Sequence, residues 1–312
     1  MEKLIKINCN WRVKMSKHPL IVKTEWLAER LEDPKLRILD ATTFLKMPDK
    51  DNGQVGMWSG KDAYNEGHIP GAVYADLMHE LSDPNAPLPM TVPPREQFVE
   101  KMEELGVGDD TYVVIYDQGA LVGNPVVAAQ WASRLAWQLR YEGFDDISVL
   151  EGGFQKWKEE GRPITTEPGH YSRAKFTGER RPELLATKED VKKAMHNEDV
   201  ILINSLSPED FRGETNTYPR KGHIPNSVNV FFGSHADTTT RQLHDISKLR
   251  ETFEKYGALD PNKKVITYCG GGIAATWNAL LLNMLGQNNV AVYDGSMNEW
   301  ASDPDCPLIT GS

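Results

Sequence analysis

The sequence runs through one order of motifs twice, and this repeat restricts the chain to a tandem architecture. Helix and strand patterns alternate between the motifs, and the strand patterns are short and rich in β-branched residues. Three pairs of segments correspond in order: 67–70 with 222–225, 113–117 with 265–269, and 151–157 with 294–300. The sequence therefore predicts an α/β protein with two tandem domains, each a parallel sheet flanked by helices.

Composition suggests the domain boundaries. Residues 1–15 are basic and weakly periodic, which predicts a disordered extension. The repeat places the first domain at 16–164 and the second at 183–312. Between them, residues 165–182 contain turn-forming proline and glycine with little apolar surface. We therefore expect an exposed linker that proteases cut before they cut either domain.

The overall charge and the cysteine content limit the classes of partner. With 45 Asp and Glu residues against 35 Lys and Arg residues, the net charge is −10, which disfavours nucleic acid and anionic membrane as partners. No apolar run approaches the roughly 18 residues that span a bilayer. The three cysteines are widely spaced, and no Cys or His cluster has the spacing of a zinc site. We expect a cytoplasmic protein in a reducing compartment, with neither a metal nor a cofactor.

Cys269 stands at an abrupt change from strand pattern to glycine. The strand pattern 265–268, which begins with three β-branched residues, ends there, three glycines follow, and an apolar helical pattern begins at Ile273. A glycine loop can turn its amides around an anion, and the first amides of a helix have no partner within the helix. Both effects favour the thiolate, which is the reactive form of cysteine. The sequence therefore predicts that Cys269 is a nucleophile.

The two copies differ at this position. The first copy has Asp117 where the second has Cys269. A carboxylate cannot act as a thiol nucleophile. We expect the first domain to be non-catalytic and to supply one wall of a site that lies between the domains.

Several motifs resemble those of the tandem rhodanese sulfurtransferases, the family of thiosulfate and 3-mercaptopyruvate sulfurtransferases, from about residue 16 to residue 312. They are Tyr64 with residues 68–72, the loop that opens at Cys269, and residues 293–296 with Glu299 and Trp300. The resemblance implies that Cys269 carries sulfur as a persulfide. Backbone amides would hold that anion as an oxyanion hole holds developing charge. They are the amides of Gly270, Gly271, Gly272, Ile273 and Ala274.

The expected partners are a small-molecule sulfur donor and an acceptor, which is cyanide, a small thiol or a thioredoxin-like protein. The uncharged Cys-Gly-x-Gly frame of the loop is nearer the mercaptopyruvate type, although Gly271 lacks the hydroxyl usual there. Arg212 or Arg220 could bind the carboxylate of such a donor. His68 is a weaker candidate, because its turn can use the ring as a structural hydrogen-bonding group.

Two other functions fit part of the pattern. A binding module could hold a persulfide in the same loop without turnover, and steady-state turnover distinguishes it from an enzyme. A cysteine phosphatase or arsenate reductase needs an arginine six residues after the cysteine. That position is Ala275, so the sequence disfavours this alternative.

Overall fold

The computed structural model of the protein describes residues 17–47 and 55–311. It contains two five-stranded parallel sheets. The prediction of two tandem α/β domains is confirmed. The extension expected at 1–15 lies outside the described residues. None of the helices within the described ranges is long and apolar enough to cross a membrane.

The first domain contains seven strands and five helices within the described residues. The strands are β1 (Ile21–Val22), β2 (Leu36–Asp40), β3 (Thr43–Lys46), β4 (Gly56–Ser59), β5 (Val73–Tyr74), β6 (Tyr112–Tyr116) and β7 (Ile147–Leu150). The helices are α1 (Thr24–Ala28), α2 (Lys61–Glu66), α3 (Arg95–Glu104), α4 (Gln130–Tyr141) and α5 (Gly153–Glu159). The parallel sheet has the order β1-β7-β6-β2-β5, and β3 and β4 form a separate antiparallel hairpin.

The second domain repeats this plan without the hairpin. Its strands are β8 (Leu185–Ala186), β9 (Val200–Asn204), β10 (Ser227–Asn229), β11 (Lys264–Tyr268) and β12 (Val290–Tyr293). Its helices are α6 (Lys188–Ala194), α7 (Pro208–Arg212), α8 (Ile246–Glu254), α9 (Ala274–Met284) and α10 (Ser296–Trp300). The order β8-β12-β11-β9-β10 matches that of the first sheet strand for strand, so β6 and β11 are the two central strands.

The domains pack against each other through α4 and α9. Both helices are almost entirely buried, and one continuous apolar cluster crosses from the first domain into the second along them. The hydroxyls of Ser133 on α4 and Thr276 on α9 are 3.0 Å apart. Because α9 follows the Cys269 loop directly, this interface brings first-domain residues to the loop.

The segment 165–182 is held against the first domain more closely than its composition suggested. Phe176 is 6% exposed and packs near the rings of Phe98 and Phe144. Arg181 donates two hydrogen bonds to the carboxylate of Asp145, at 2.7 and 2.5 Å. An exposed linker was expected because the segment has few apolar residues. Its contacts are instead made with residues far away in the sequence, which local composition does not reveal.

Candidate active site

Cys269 lies at the carboxyl end of β11. The strand ends at Tyr268, residues 270–273 form the loop, and α9 begins at Ala274. Cys269 is only 2% exposed. The carboxyl ends of parallel strands are where open α/β sheets bind ligands, so the predicted nucleophile lies at the usual position for a site.

Ser296 ties the two ends of the loop together. Its hydroxyl oxygen accepts hydrogen bonds from the amides of Cys269 and Gly272, both at 3.1 Å, and donates to the carbonyl of Tyr293 at 2.6 Å. Ser296 is fully buried and adopts a φ of 48°, in the left-handed region that non-glycine residues seldom occupy. Ser296 belongs to the motif 293–296. Its neighbours in the sequence did not predict that its hydroxyl would bind the amides of Cys269 and Gly272.

The start of α10 binds the carbonyls at the beginning of the loop. The amide of Met297 donates to the carbonyl of Cys269 at 3.0 Å, and the amide of Asn298 donates to the carbonyl of Gly270 at 2.8 Å. In a trans peptide the carbonyl and the next amide point in opposite directions. The amides of Gly270 and Gly271 therefore point away from α10.

Arg134, on α4 of the first domain, controls the far end of the loop. Its guanidinium donates to the carbonyl of Gly272 at 3.0 Å and to the Asp294 carboxylate at 2.6 Å. Holding the Gly272 carbonyl on this side turns the amide of Ile273 to the other side. Arg134 is fully buried, and a buried arginine is costly unless its charge is paired. The carboxylate of Asp294 provides that pairing. Arg134 was not predicted from the sequence, because the contact joins two domains.

Four of the five predicted amides are without a protein partner in the described part of the chain. The exception is the amide of Gly272, which donates to Ser296 and so is not left for a ligand. The four are those of Gly270, Gly271, Ile273 and Ala274. The loop therefore presents several unsatisfied donors close to Cys269, an arrangement that suits an anion.

At each glycine of the loop, a Cβ atom would lie too close to a neighbouring side chain. A Cβ would lie 2.5 Å from the Tyr218 hydroxyl at Gly270, 2.9 Å from the Asn298 amide nitrogen at Gly271, and 2.7 Å from the Asp294 carboxylate at Gly272. Gly272 also has a φ of 71°. Close packing explains why three glycines follow the cysteine.

Tyr218 is a third residue of the site whose role was not predicted from the sequence. Burial raises the pKa of its phenol well above the usual value, and electrostatic interaction with Cys269 and Asp210 raises it further. The phenol thus remains a protonated donor beside Gly270. No local motif marked Tyr218, since its contact with the loop is made only in the folded chain.

The three substrate-binding candidates predicted from the sequence are engaged elsewhere. Arg212 forms a two-pronged ion pair with Glu214, at 2.7 and 2.9 Å, near the surface. The guanidinium of Arg220 donates to backbone carbonyls at and after the end of α10: those of Trp300, Ala301, Asp303 and Cys306. Each of the three guanidinium nitrogens of Arg220 therefore donates to a backbone carbonyl, which gives this side chain a structural role.

His68 is also placed away from the loop. It is fully buried in the first domain, where its ring nitrogens lie 2.7 Å from the carbonyl of Tyr64 and 2.9 Å from that of Glu167. The ring stacks on Tyr64 with centroids 3.8 Å apart. These contacts favour the structural use of the turn over a substrate-binding role for His68.

The first domain contains a closed counterpart of the loop. The carboxylate of Asp117 accepts hydrogen bonds from the amides of Gly119 at 3.1 Å, Trp131 at 3.1 Å and Ala132 at 3.0 Å. The last two amides belong to the first turn of α4. In the first domain the Asp117 carboxylate therefore occupies a set of backbone amide donors. In the second domain four of the loop amides have no protein partner among the described residues.

The described residues contain no group of three or more His, Cys, Asp or Glu side chains that could hold an ion. Cys269 and Cys306 are both buried free thiols. The Cys269 loop presents one thiol among backbone amides.

These features define a class of protein: two homologous α/β domains packed against each other, of which one carries a cysteine in an amide-lined loop. The chain belongs to the rhodanese family of sulfurtransferases. The model of the rhodanese-like domain matches it twice, at residues 23–160 and 187–303.

Curated relatives are similar over nearly the whole chain. The 3-mercaptopyruvate sulfurtransferase of Escherichia coli K12 is 31% identical, over 92% of this chain and 96% of that protein. The thiosulfate sulfurtransferase of Mus musculus is 33% identical, over 90% and 91%. The sulfur carrier protein TtuD of Thermus thermophilus is 30% identical, over 94% and 98%.

Solved structures show the same fold. The 3-mercaptopyruvate sulfurtransferase SseA from Escherichia coli matches with a TM-score of 0.72 and 30% identity, covering 89% of this chain and 99% of that one. EanB matches with a TM-score of 0.76 and 25% identity, covering 94% and 69%.

Proposed function

We propose that the protein transfers a sulfane sulfur from a small-molecule donor to an acceptor through a persulfide on Cys269. The observation that carries this proposal is the set of open loop amides, which follows from carbonyls bound on the opposite side by α10 and Arg134. A persulfide is an anion, and fixed amide donors stabilise an anion without reorganising. The second domain, 183–312, is then catalytic, and the first domain supports its loop.

The reaction proceeds by two displacements. The Cys269 thiolate attacks the outer sulfur of the donor, an S–S bond forms, and sulfite or pyruvate leaves with the electron pair of the broken bond. An acceptor then attacks the outer sulfur and releases the thiolate. The acceptor is cyanide, a small thiol or a thioredoxin-like protein, and the buried free thiols suit a reducing, cytoplasmic setting.

The relatives support this chemistry and leave two forms of it. Several are named as 3-mercaptopyruvate or thiosulfate sulfurtransferases, and a variant of EanB has been solved with a cysteine persulfide. The relative named as a sulfur carrier favours a second candidate, in which Cys269 holds sulfur for a partner without rapid turnover. Steady-state turnover with cyanide separates the enzyme from the carrier.

We further propose that 3-mercaptopyruvate is the better donor. Thiosulfate brings two negative charges and mercaptopyruvate brings one. The loop has no Lys or Arg, and the carboxylate of Asp210 is close enough to raise the pKa of Tyr218. Since Arg212 and Arg220 are bound elsewhere, the preference rests on this charge balance and no longer on an arginine clamp.

The first prediction concerns the wild-type protein. Each donor should add the mass of one sulfur atom to the peptide that contains Cys269, as measured by mass spectrometry. With cyanide as acceptor, kcat/KM should be about tenfold higher or more for mercaptopyruvate, the size of one unmatched charge contact. Faster use of thiosulfate would overturn the donor preference. No added sulfur with either donor would overturn the function itself.

Gly271→Lys should shift the preference toward thiosulfate. Gly271 does not have a positive φ, and the neighbouring atom of Asn298 is the end of a side chain that can move. A cation there should raise the thiosulfate-to-mercaptopyruvate ratio of kcat/KM by about tenfold, the effect of one added charge-assisted contact. Gly271→Met has a similar length without the charge and serves as the control. An equal shift in both variants would show that side-chain bulk, and not charge, sets the ratio.

A further inference from the structure

The hydroxyl of Tyr218 reaches the Cys269 loop from outside it. Tyr218 lies between α7 and the second Gly-His-Ile-Pro turn, and its ring packs against the apolar cluster of the second domain. The hydroxyl is 2.5 Å from the position that a Cβ on Gly270 would occupy. Because Gly270 has no side chain, the phenol can approach the backbone beside the nucleophile.

This hydroxyl has no hydrogen-bond partner among the residues that the structure describes. Tyr218 is partly buried, with its ring packed and its hydroxyl not bound by any described residue. Asp210 lies near enough to act on Tyr218, but its carboxylate is bound by the hydroxyls of Ser207, Thr215 and Thr217. The Tyr218 O–H is therefore free to donate to a ligand at the loop.

Two other hydroxyls near the loop already donate hydrogen bonds to backbone carbonyls. Ser296 donates to the carbonyl of Tyr293, and Thr276 donates to the carbonyl of Ile273 at 2.6 Å. The segment 270–275 contains no hydroxyl. Of these three hydroxyls, the one on Tyr218 remains able to supply a proton next to Cys269.

The two donors differ in their need for a proton. When the thiolate attacks thiosulfate, the S–S bond breaks and sulfite leaves as a stable dianion, so no proton moves. When it attacks the sulfur of mercaptopyruvate, the C–S bond breaks and its electron pair forms the enolate of pyruvate. The methylene carbon of that enolate must gain a proton to become the methyl group of pyruvate, while the new persulfide still carries the proton of the donor thiol.

We propose that Tyr218 is the acid that protonates the departing enolate when mercaptopyruvate is the donor. The phenol gives its proton to the carbon, and the resulting phenolate takes the more acidic proton of the persulfide. The net change moves one proton from the donor thiol to pyruvate and leaves a persulfide anion among the loop amides. This inference rests on the proposed function and adds a residue that distinguishes the two donors.

Tyr218→Phe tests the proposal, because it removes the hydroxyl and keeps the ring. Single-turnover persulfide formation with mercaptopyruvate should slow by about a hundredfold or more, the usual contribution of a general acid. The rate with thiosulfate should stay within about threefold of wild type, below the effect of one lost hydrogen bond in a rate constant. Tyr256→Phe, a tyrosine of the same domain to which no role in the site is assigned, should change neither rate.

Equal losses with both donors, or no loss with mercaptopyruvate, would overturn the role of Tyr218. Wild-type protein that accepts sulfur from neither donor would instead overturn the proposed function. If the variant does not fold, the wild type still decides the question. Its single-turnover rate should fall in D₂O with mercaptopyruvate and not with thiosulfate, and the absence of that difference would refute the proton transfer.

Discussion

Cys269→Ser is expected to reduce donor-dependent sulfur transfer to the background of the uncatalysed reaction. A hydroxyl in the same place cannot form a persulfide, and the first domain offers only Asp117 at the equivalent position. The loop and its hydrogen bonds involve the backbone of residue 269, so the variant should fold as the wild type does. Activity with both donors, together with a thermal melt, measures the two effects separately.

Cys306→Ser is the matched control. Cys306 is fully buried, and burial followed by the neighbouring Asp303 raises the pKa of its thiol, which keeps the thiol protonated and unreactive. This variant should retain most of the sulfur transfer, and so should Cys9→Ser, whose cysteine lies outside the described residues. Persulfide found on Cys306 after reaction with a donor would contradict the assignment of Cys269.

Arg134→Met should give the second large effect, on activity and stability together. Without the guanidinium, the Asp294 carboxylate loses its buried charge partner, and breaking such a pair costs about 3–5 kcal/mol of unfolding free energy. The carbonyl of Gly272 is also released, so the Ile273 amide loses its fixed direction. Losing one fixed donor of this kind lowers rates by roughly a hundredfold. Single-turnover persulfide formation and thermal unfolding measure the two losses.

Arg140→Met separates the two consequences. Arg140 lies on the same helix and bonds across the interface to Asn283, near the end of α9 that is far from the loop. This variant should lose stability while folded protein keeps its rate of persulfide formation. Arg134→Lys preserves the charge next to Asp294 but has fewer directed donors, and it should fold with an intermediate rate. If Arg134→Lys and Arg140→Met lost activity equally, Arg134 would have no specific effect on the loop.

Local sequence patterns predicted the repeat, the central strands and the cysteine loop. Alternating strand and helix patterns, the three glycines after Cys269 and the helical pattern from Ile273 depend on neighbours along the chain. The structure confirms the two parallel sheets to which those patterns pointed. It also gives a reason for the glycines that the sequence could not, since the neighbours they touch come from other segments.

The arginines show the limit of local reasoning. Arg220 was a candidate for binding a carboxylate because an arginine can bind one with two hydrogen bonds, whereas its folded environment is a group of backbone carbonyls at and after the end of α10. Arg134 lies in the middle of a helical pattern with no motif around it, yet its guanidinium bonds to the loop of the other domain. Which partner a long charged side chain meets depends on how distant segments pack, and no spacing rule encodes it.

The sequence by itself determined that the chain has two related α/β domains and that only the second carries a cysteine at the end of its central strand. Those properties follow from residue type and periodicity. Only the tertiary structure decided which amides of the loop remain open, because their directions are set by α10, Ser296 and Arg134. It likewise decided that Tyr218 stands beside Gly270, since that contact forms only when the chain between them folds back on itself.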